Sequence, residues 1–454
     1  MITTLARGAG PLDAMDGPGR DSGVAGPLPG AAGAAGGGAG WARLPGWLES
    51  RRGRRLVYAT LLLELGLITG FAIVYKPLDL QIYLWGGRAV TEGLRLYLVA
   101  PHGNWFTYPP FAAVLFTPLA ALPATAVAVA WELASVAALA WACVLTLRLA
   151  GYRPGRTAVA AMVAASLVLE PVYHTLFLGQ INLFLLALVL TDVRRAARGR
   201  PAGIGVGIAT AVKLTPGIFI VLLLLTRRTR DAVTAAATFA CCTLAGFLAD
   251  PAASRRYWAH LFYDTSRVGG AYISNQSPYG AVARWLDGTG HVGTWYDAVP
   301  LALAALGLAV AVPLARRGDW LGAAAVTGVT GLLVSPISWT HHWVWVMPAL
   351  VVLARGGTRG RLAAAGGFVV FALAPMWWTP HAGQSGDYGI HSLLALPANC
   401  FLIAGLAFMI YMAVQVRRPG PADPWARPRA GLPARSGEDG RDAPAGRVPV
   451  SELT

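Results

Sequence analysis

Charge is scarce in this chain: 13% of its 454 residues are Asp, Glu, Lys or Arg, and only 22 are acidic. By contrast 55% are hydrophobic and the mean hydropathy is +0.52. That balance is the composition of a polytopic membrane protein rather than of a soluble domain. Cysteine is scarcer still. Cys143, Cys241, Cys242 and Cys400 lie inside apolar stretches without metal-ligand spacing, and they read as small core residues. Nucleotide-binding signatures are missing as well. No GxGxxG follows a strand pattern, no GxxxxGK[ST] occurs, and the soluble segments are too short for a Rossmann domain.

What is present is a series of apolar runs between residues 56 and 416, each near the length of about 20 residues that crosses roughly 30 Å of hydrocarbon. The first, LVYATLLLELGLITGFAIVY (56–75), follows RRGRR, exceeds a signal-peptide core and ends without a small-residue cleavage site, so an uncleaved first helix is expected. Residues 1–50 and 419–454 are rich in Gly, Ala, Pro and Arg and read as disordered cytoplasmic tails around a transmembrane domain at 51–418. The formal charge of +15 is carried by arginine clusters between the runs, which argues for topology and against a nucleic-acid partner.

Taking those clusters as cytoplasmic predicts an all-α protein with about ten crossings: 56–75, 124–149, 157–174, 176–193, 232–249, 298–315, 319–335, 339–354, 361–378 and 393–416. Both termini then face the cytoplasm. The run 203–226 disturbs the alternation, because basic clusters flank it on both sides and KLTP (213–216) breaks it. A re-entrant helical pair is expected there, since irregular backbone at depth is tolerated where it lines a cavity. With this orientation DLQIY (79–83), FTYPPF (106–111), GQIN (179–182), NQSPYG (275–280), Arg284, SPISWTHH (335–342) and His381 converge on the outer face. Such convergence between helix ends is how a membrane enzyme or transporter builds a site.

In order along the chain, DLQIYLWGG, LYLVAPHGNWFTYPPFAAVLFTPLAALP, GQINLFLLALVLTD, GIATAVKLTPGIF, NQSPYG and SPISWTHHWVW resemble the polyprenyl-phosphate-mannose-dependent α-1,2-mannosyltransferases, glycosyltransferase family 87 of the GT-C architecture. The resemblance runs from about Asp79 to Trp345. It implies a plasma-membrane enzyme with a polyprenyl phosphate mannose donor and transfer to a hydroxyl of a glycolipid or glycan at the outer face, with inversion if the donor is β-linked and the product α. Another polyprenyl-phosphate sugar, such as arabinose, fits the same scaffold. A lipid-linked sugar transporter or flippase is the reading from a different class, since broken helices are also transporter features.

The chemistry needs a base for the acceptor proton and donors for the departing phosphate, and no cofactor or obligatory metal. Asp79, after Lys76 and Pro77 at the end of the first helix, is the expected base; Glu92 and Glu170 read as structural. Lys213, an ionisable group in an apolar run, is the natural partner of the lipid phosphate, with a snorkelling lysine as the alternative. Arg284 is the second cation, for a phosphate or for Asp264 or Asp287. Adjacent His341 and His342 point about 100° apart on a helix, so one is expected to enter the site while the other packs; the pair lacks the spacing of helical metal ligands. Trp339, Trp343 and Trp345 around them fit an interfacial aromatic belt equally well. Gln180, Asn182, Asn275 and Gln276 suit sugar hydroxyls or helix caps. Tyr108 suits sugar stacking or loop packing, and Ser335 is a hydroxyl donor.

Overall fold

Hydrocarbon offers no partners to backbone N–H and C=O groups, so apolar runs must close their own hydrogen bonds as helices. The computed structural model describes residues 46–381 and 387–417, and these are overwhelmingly helical. The tails expected over 1–50 and 419–454 lie outside the described residues, except that Gly46–Glu49 forms a 3-10 turn leading to α1. Ser50 caps α1 by accepting a hydrogen bond from the Gly53 amide.

The helices, in order, are α1 (Arg51–Val74), α2 (Leu78–Glu92), α3 (Pro110–Ala120), α4 (Ala124–Leu149), α5 (Arg156–Leu167), α6 (Glu170–Leu178), α7 (Asn182–Ala197), α8 (Ile204–Val212) and α9 (Ile218–Leu225). They continue with α10 (Thr229–Ala249), α11 (Pro251–Arg256), α12 (Pro278–Trp285), α13 (Ala298–Arg316), α14 (Trp320–Val334), α15 (Val346–Ala354), α16 (Gly357–Leu373), α17 (Ala395–Ala398) and α18 (Cys400–Arg417). Among the described residues α1, α4, α10, α18 and the helix Thr294–Arg316 that includes α13 are long and apolar enough to cross a membrane. The α5–α6 pair, bent by 78°, makes a sixth if it crosses as one broken span. The protein is therefore an all-helical, multi-pass membrane protein.

One expected turn moves. Spans at 157–174 and 176–193 put a reversal near residue 175, but the chain bends at Val168–Leu169 and reverses at 179–181. The cause is local: Pro171 in its first turn suits α6 to start anew, and Gly179 at φ 68° ends it in the left-handed region. A Cβ on Gly179 would stand 2.8 Å from the Cβ atoms of Pro77 and Leu80, so glycine also lets this corner lie against α2.

The run 203–226 breaks where KLTP predicts, with Lys213 extended between α8 and the 3-10 turn Thr215–Gly217. Its two ends return to one place. The Ala202 amide donates to Asp231 Oδ1 at 3.0 Å, and Arg228 Nε pairs with Asp231 Oδ2. Arg228 also donates to the carbonyls of Ala196 and Arg200, joining the two flanking basic clusters. The segment therefore folds back on itself, with its two ends meeting at Asp231. Other basic clusters gather by similar bonds, Arg316 to the Leu225 carbonyl, Arg317 to the Val416 carbonyl and Arg355 to Asp319.

At the centre stands α14, in which every residue from Leu321 to Leu333 is buried, as an all-round apolar helix requires. A Cβ on Gly328 would lie 2.1 Å from the Trp345 ring, which stacks on Phe219 of α9 at 5.2 Å. α14 runs from Asp319, beside the basic clusters, to Ser335, where the polar motifs begin.

Candidate active site

The polar motifs surround one cavity of about 1290 Å³. Asp79, Tyr108, His174, Gln180, Lys213, Ser335, His341 and His342 all line it. Elements far apart in sequence meet here because α2, the α6–α7 corner, the α8–α9 break and the turn Thr340–Trp345 each present a helix end, where polar side chains and unpaired backbone groups concentrate.

Asp79 sits in the first turn of α2, whose N-terminal dipole favours a carboxylate. Burial pushes its pKa up to about 6, although a hydrogen bond from Gln180 and the nearby Lys213 and His174 pull in the opposite direction. Gln180 is fixed in turn: its Oε1 accepts from the Tyr83 hydroxyl at 2.8 Å and its Nε2 donates to the Tyr108 hydroxyl at 2.6 Å. The two tyrosine hydroxyls lie 3.0 Å apart. Tyr108 therefore presents a locked ring, and Lys213 Nζ stands 5.8 Å from its centroid.

Lys213 Nζ lies 3.1 Å from Asn182 Oδ1 and 2.8 Å from His342 Nε2. An ammonium has three N–H donors, so two are committed and the third is left for a ligand oxygen. Asn182 itself does not line the large cavity; it orients Lys213 with its oxygen and grips the His341 carbonyl with its nitrogen at 2.8 Å. Thr175 binds the same carbonyl at 2.9 Å. The GQIN corner thereby holds the histidine turn in place.

The two histidine rings meet at 90° with centroids 4.6 Å apart, and both line the cavity. They are not equivalent. His342 touches Lys213, whereas neither ring nitrogen of buried His341 finds a hydrogen-bond partner among the described residues. Ser335 lines the cavity with its hydroxyl turned to the Ile337 carbonyl.

Besides Asn182, three more expected ligands are placed elsewhere. Arg284 is fully buried and donates to the carbonyls of Ala271, Tyr272 and Asn275 and to Asn399 Oδ1. It faces neither the cavity nor the Asp264 and Asp287 partners considered for it. Asn275 donates to the carbonyls of Gly270 and Pro336 and accepts from the Ser338 amide. Gln276 donates to Ile273 and Ala398 and accepts from the Phe401 amide. None of the three lines the cavity, and their hydrogen bonds go to the backbone of neighbouring loops and, for Arg284, also to the Asn399 side chain.

His174 is the residue that sequence reasoning passed over. Its Nδ1 lies 2.8 Å from Glu170 Oε1 and 2.9 Å from the Thr340 hydroxyl. A carboxylate only accepts, so it holds the proton on Nδ1 and leaves Nε2 for the cavity side. Glu170 is buried and also accepts from Trp377 Nε1 at 3.0 Å. The signal was available as the i, i+4 spacing in EPVYH, but only the fold shows which way that helix face points. Glu92, at the far end of α2, is exposed and away from the cavity.

Residues 106–336 match glycosyltransferase family 87. A protein of Mycobacterium tuberculosis named polyprenol-phosphate-mannose-dependent α-(1-2)-phosphatidylinositol mannoside mannosyltransferase is 36% identical over 360 residues, spanning 73% of this chain and 84% of that protein. The chain belongs to glycosyltransferase family 87. A protein of Mycolicibacterium smegmatis named for the corresponding pentamannoside transfer is 32% identical over 360 residues, 75% of this chain and 86% of its own. No solved structure matches the chain. The family match starts beyond Asp79 and stops short of His341, so the roles of those residues rest on their geometry in the shared cavity. The chain is a membrane hexosyltransferase.

Proposed function

We propose that this family 87 enzyme transfers mannose from polyprenyl phosphate mannose to a hydroxyl of a phosphatidylinositol-mannoside type glycolipid, forming an α-1,2 linkage with inversion at the outer face of the plasma membrane. One observation carries the reading: a base, Asp79, and an oriented cation, Lys213, face the same cavity, which is large enough for a sugar and its acceptor. Donor and acceptor classes follow the names of the mycobacterial relatives. Those names favour mannose over arabinose as the donor sugar.

Asp79 takes the proton of the acceptor hydroxyl while its oxygen attacks the anomeric carbon. The bond from that carbon to the phosphate oxygen breaks, and the electron pair leaves with the polyprenyl phosphate. Lys213, steadied by Asn182 and His342, receives the charge that builds on the departing oxygen. Glu170 fixes the tautomer of His174, whose second nitrogen serves as a further polar contact to the donor. Gln180 aligns Asp79, and Tyr108 bounds the sugar.

About ten crossings with both termini inside fit this reading. The re-entrant pair keeps the parity of the basic clusters, and the cavity then lies at the end of α14 remote from them.

Transfer of labelled mannose from synthetic polyprenyl phosphate mannose, measured with purified protein and a phosphatidylinositol mannoside acceptor, tests the proposal. Product bearing a new α-1,2 linkage is expected. Movement of labelled donor lipid across proteoliposomes with no transfer would instead establish the flippase reading.

A further inference from the structure

A second cation stands at the rim of the cavity. The lining includes exposed Gly103, Phe262, Tyr263, Ser266 and Gly290, which mark its open side, whereas Tyr108, Gln180 and His341 form the buried floor. Arg267 lies on that open side. Its guanidinium carbon is 4.1 Å from the centroid of the Trp105 ring, and its Nη2 donates to the Tyr97 carbonyl at 2.8 Å. Stacking and the carbonyl bond together fix the plane of the guanidinium before any ligand arrives. Its acidic neighbour Asp264 is held by the Ser266 amide and hydroxyl at 2.8 and 2.6 Å and attracts Arg267 only at longer range. Among the described residues Arg267 makes no ion pair.

Its distance from the chemistry is set by tyrosines. Tyr97 accepts Arg267 on its carbonyl and donates its hydroxyl to the Tyr108 carbonyl at 2.7 Å, and the Tyr108 ring faces Lys213. Two side chains thus separate the cations. Beyond the polar stretch 264–266 the rim carries exposed rings: Phe262 and Tyr263 are 49% and 62% exposed and pack edge to face at 4.9 Å. A fixed cation bordered by exposed apolar rings suits an anion carried on a lipid rather than a soluble one.

We propose that Arg267 and Trp105 form a subsite for the phosphodiester anion of the acceptor glycolipid, distinct from the donor-phosphate site at Lys213. The inference rests on the transfer proposed above and adds how the enzyme recognises its acceptor. Arg267 binds the acceptor's phosphodiester, the adjoining aromatic rim takes the acyl chains, and the glycan reaches inward to Asp79.

The test compares the full chain with Arg267→Gln on two acceptors, a phosphatidylinositol mannoside and a neutral alkyl α-mannoside. The expected result is a rise of about tenfold or more in KM for the anionic acceptor, the loss of a charge-assisted contact, with KM for the neutral acceptor and for the donor unchanged. Equal effects on both acceptors, an effect on donor KM, or no effect at all overturns it. If Arg267→Gln does not fold, the unaltered enzyme gives the answer: added salt should raise KM for the anionic acceptor only, and a salt response shared by both acceptors overturns the subsite. Failure of the unaltered enzyme to mannosylate either acceptor overturns the parent reading, and the subsite with it.

Discussion

Lys213 and His342, 129 residues apart in sequence, meet at 2.8 Å between Nζ and Nε2. When Lys213 is protonated its ammonium can only donate, so His342 accepts on an unprotonated Nε2 and orients the lysine toward a ligand anion. Lys213→Met is expected to lower kcat/KM by on the order of 10² to 10³, the usual loss when an oriented donor to a developing anion is removed. Lys213→Arg should not restore it, because a planar fork cannot reach Asn182 and His342 from the same point. His342→Ala should cost at least tenfold more activity than His341→Ala, since only His342 touches Lys213. Initial rates at saturating and limiting donor separate these effects.

Asp79→Asn keeps size and removes basicity. It should reduce kcat by on the order of 10² to 10⁴ while the protein stays folded. The pH profile gives a second check. With a pKa of about 6 in the folded protein, Asp79 is protonated and inactive below that value, so the rate should fall about tenfold per unit of pH on the acid side. Burial raises this pKa, so the folded state binds the proton more tightly than the unfolded chain does. Ionisation at neutral pH therefore costs stability, and Asp79→Asn should leave thermal stability at pH 7 unchanged or slightly higher.

Glu170→Gln replaces an acceptor-only carboxylate with an amide that can also donate, so His174 is no longer held on one tautomer. A loss of roughly 10- to 100-fold in rate is expected, the size seen when a group that orients a functional histidine is removed. Steady-state rates and the melting temperature should be measured together. A drop in melting temperature without loss of rate would assign the Glu170–His174–Trp377 contacts to packing alone.

Arg284→Met should act on stability rather than on substrate binding. It strips charged donors from the Ala271 and Asn275 carbonyls and from Asn399, while the Tyr272 carbonyl keeps the Asn275 amide, a change on the order of 3 kcal/mol. Lower yield and a lower melting temperature are expected, with donor KM in the surviving protein unaltered.

The long apolar runs determined the helices, because a run of that length in hydrocarbon has no other way to satisfy its backbone. KLTP likewise announced the break at Lys213, since proline removes a donor and disfavours helix in the residue before it. Asp79, Lys213 and the histidine pair were legible as costly polar groups among apolar neighbours. What the sequence could not decide was which polar groups face the cavity and which are consumed in holding its walls. Arg284, Asn275 and Gln276 look like ligands in one dimension, yet their partners are carbonyls brought near by chain segments as distant as Ala398 and Asn399. His174 looked unremarked for the opposite reason, because its value comes from Thr340 closing on its own Nδ1 and Trp377 on its partner Glu170, both from turns distant in sequence. Apolar pattern is a local property and fixes the elements; the partner of a buried polar atom is a non-local one, and only tertiary structure assigns it.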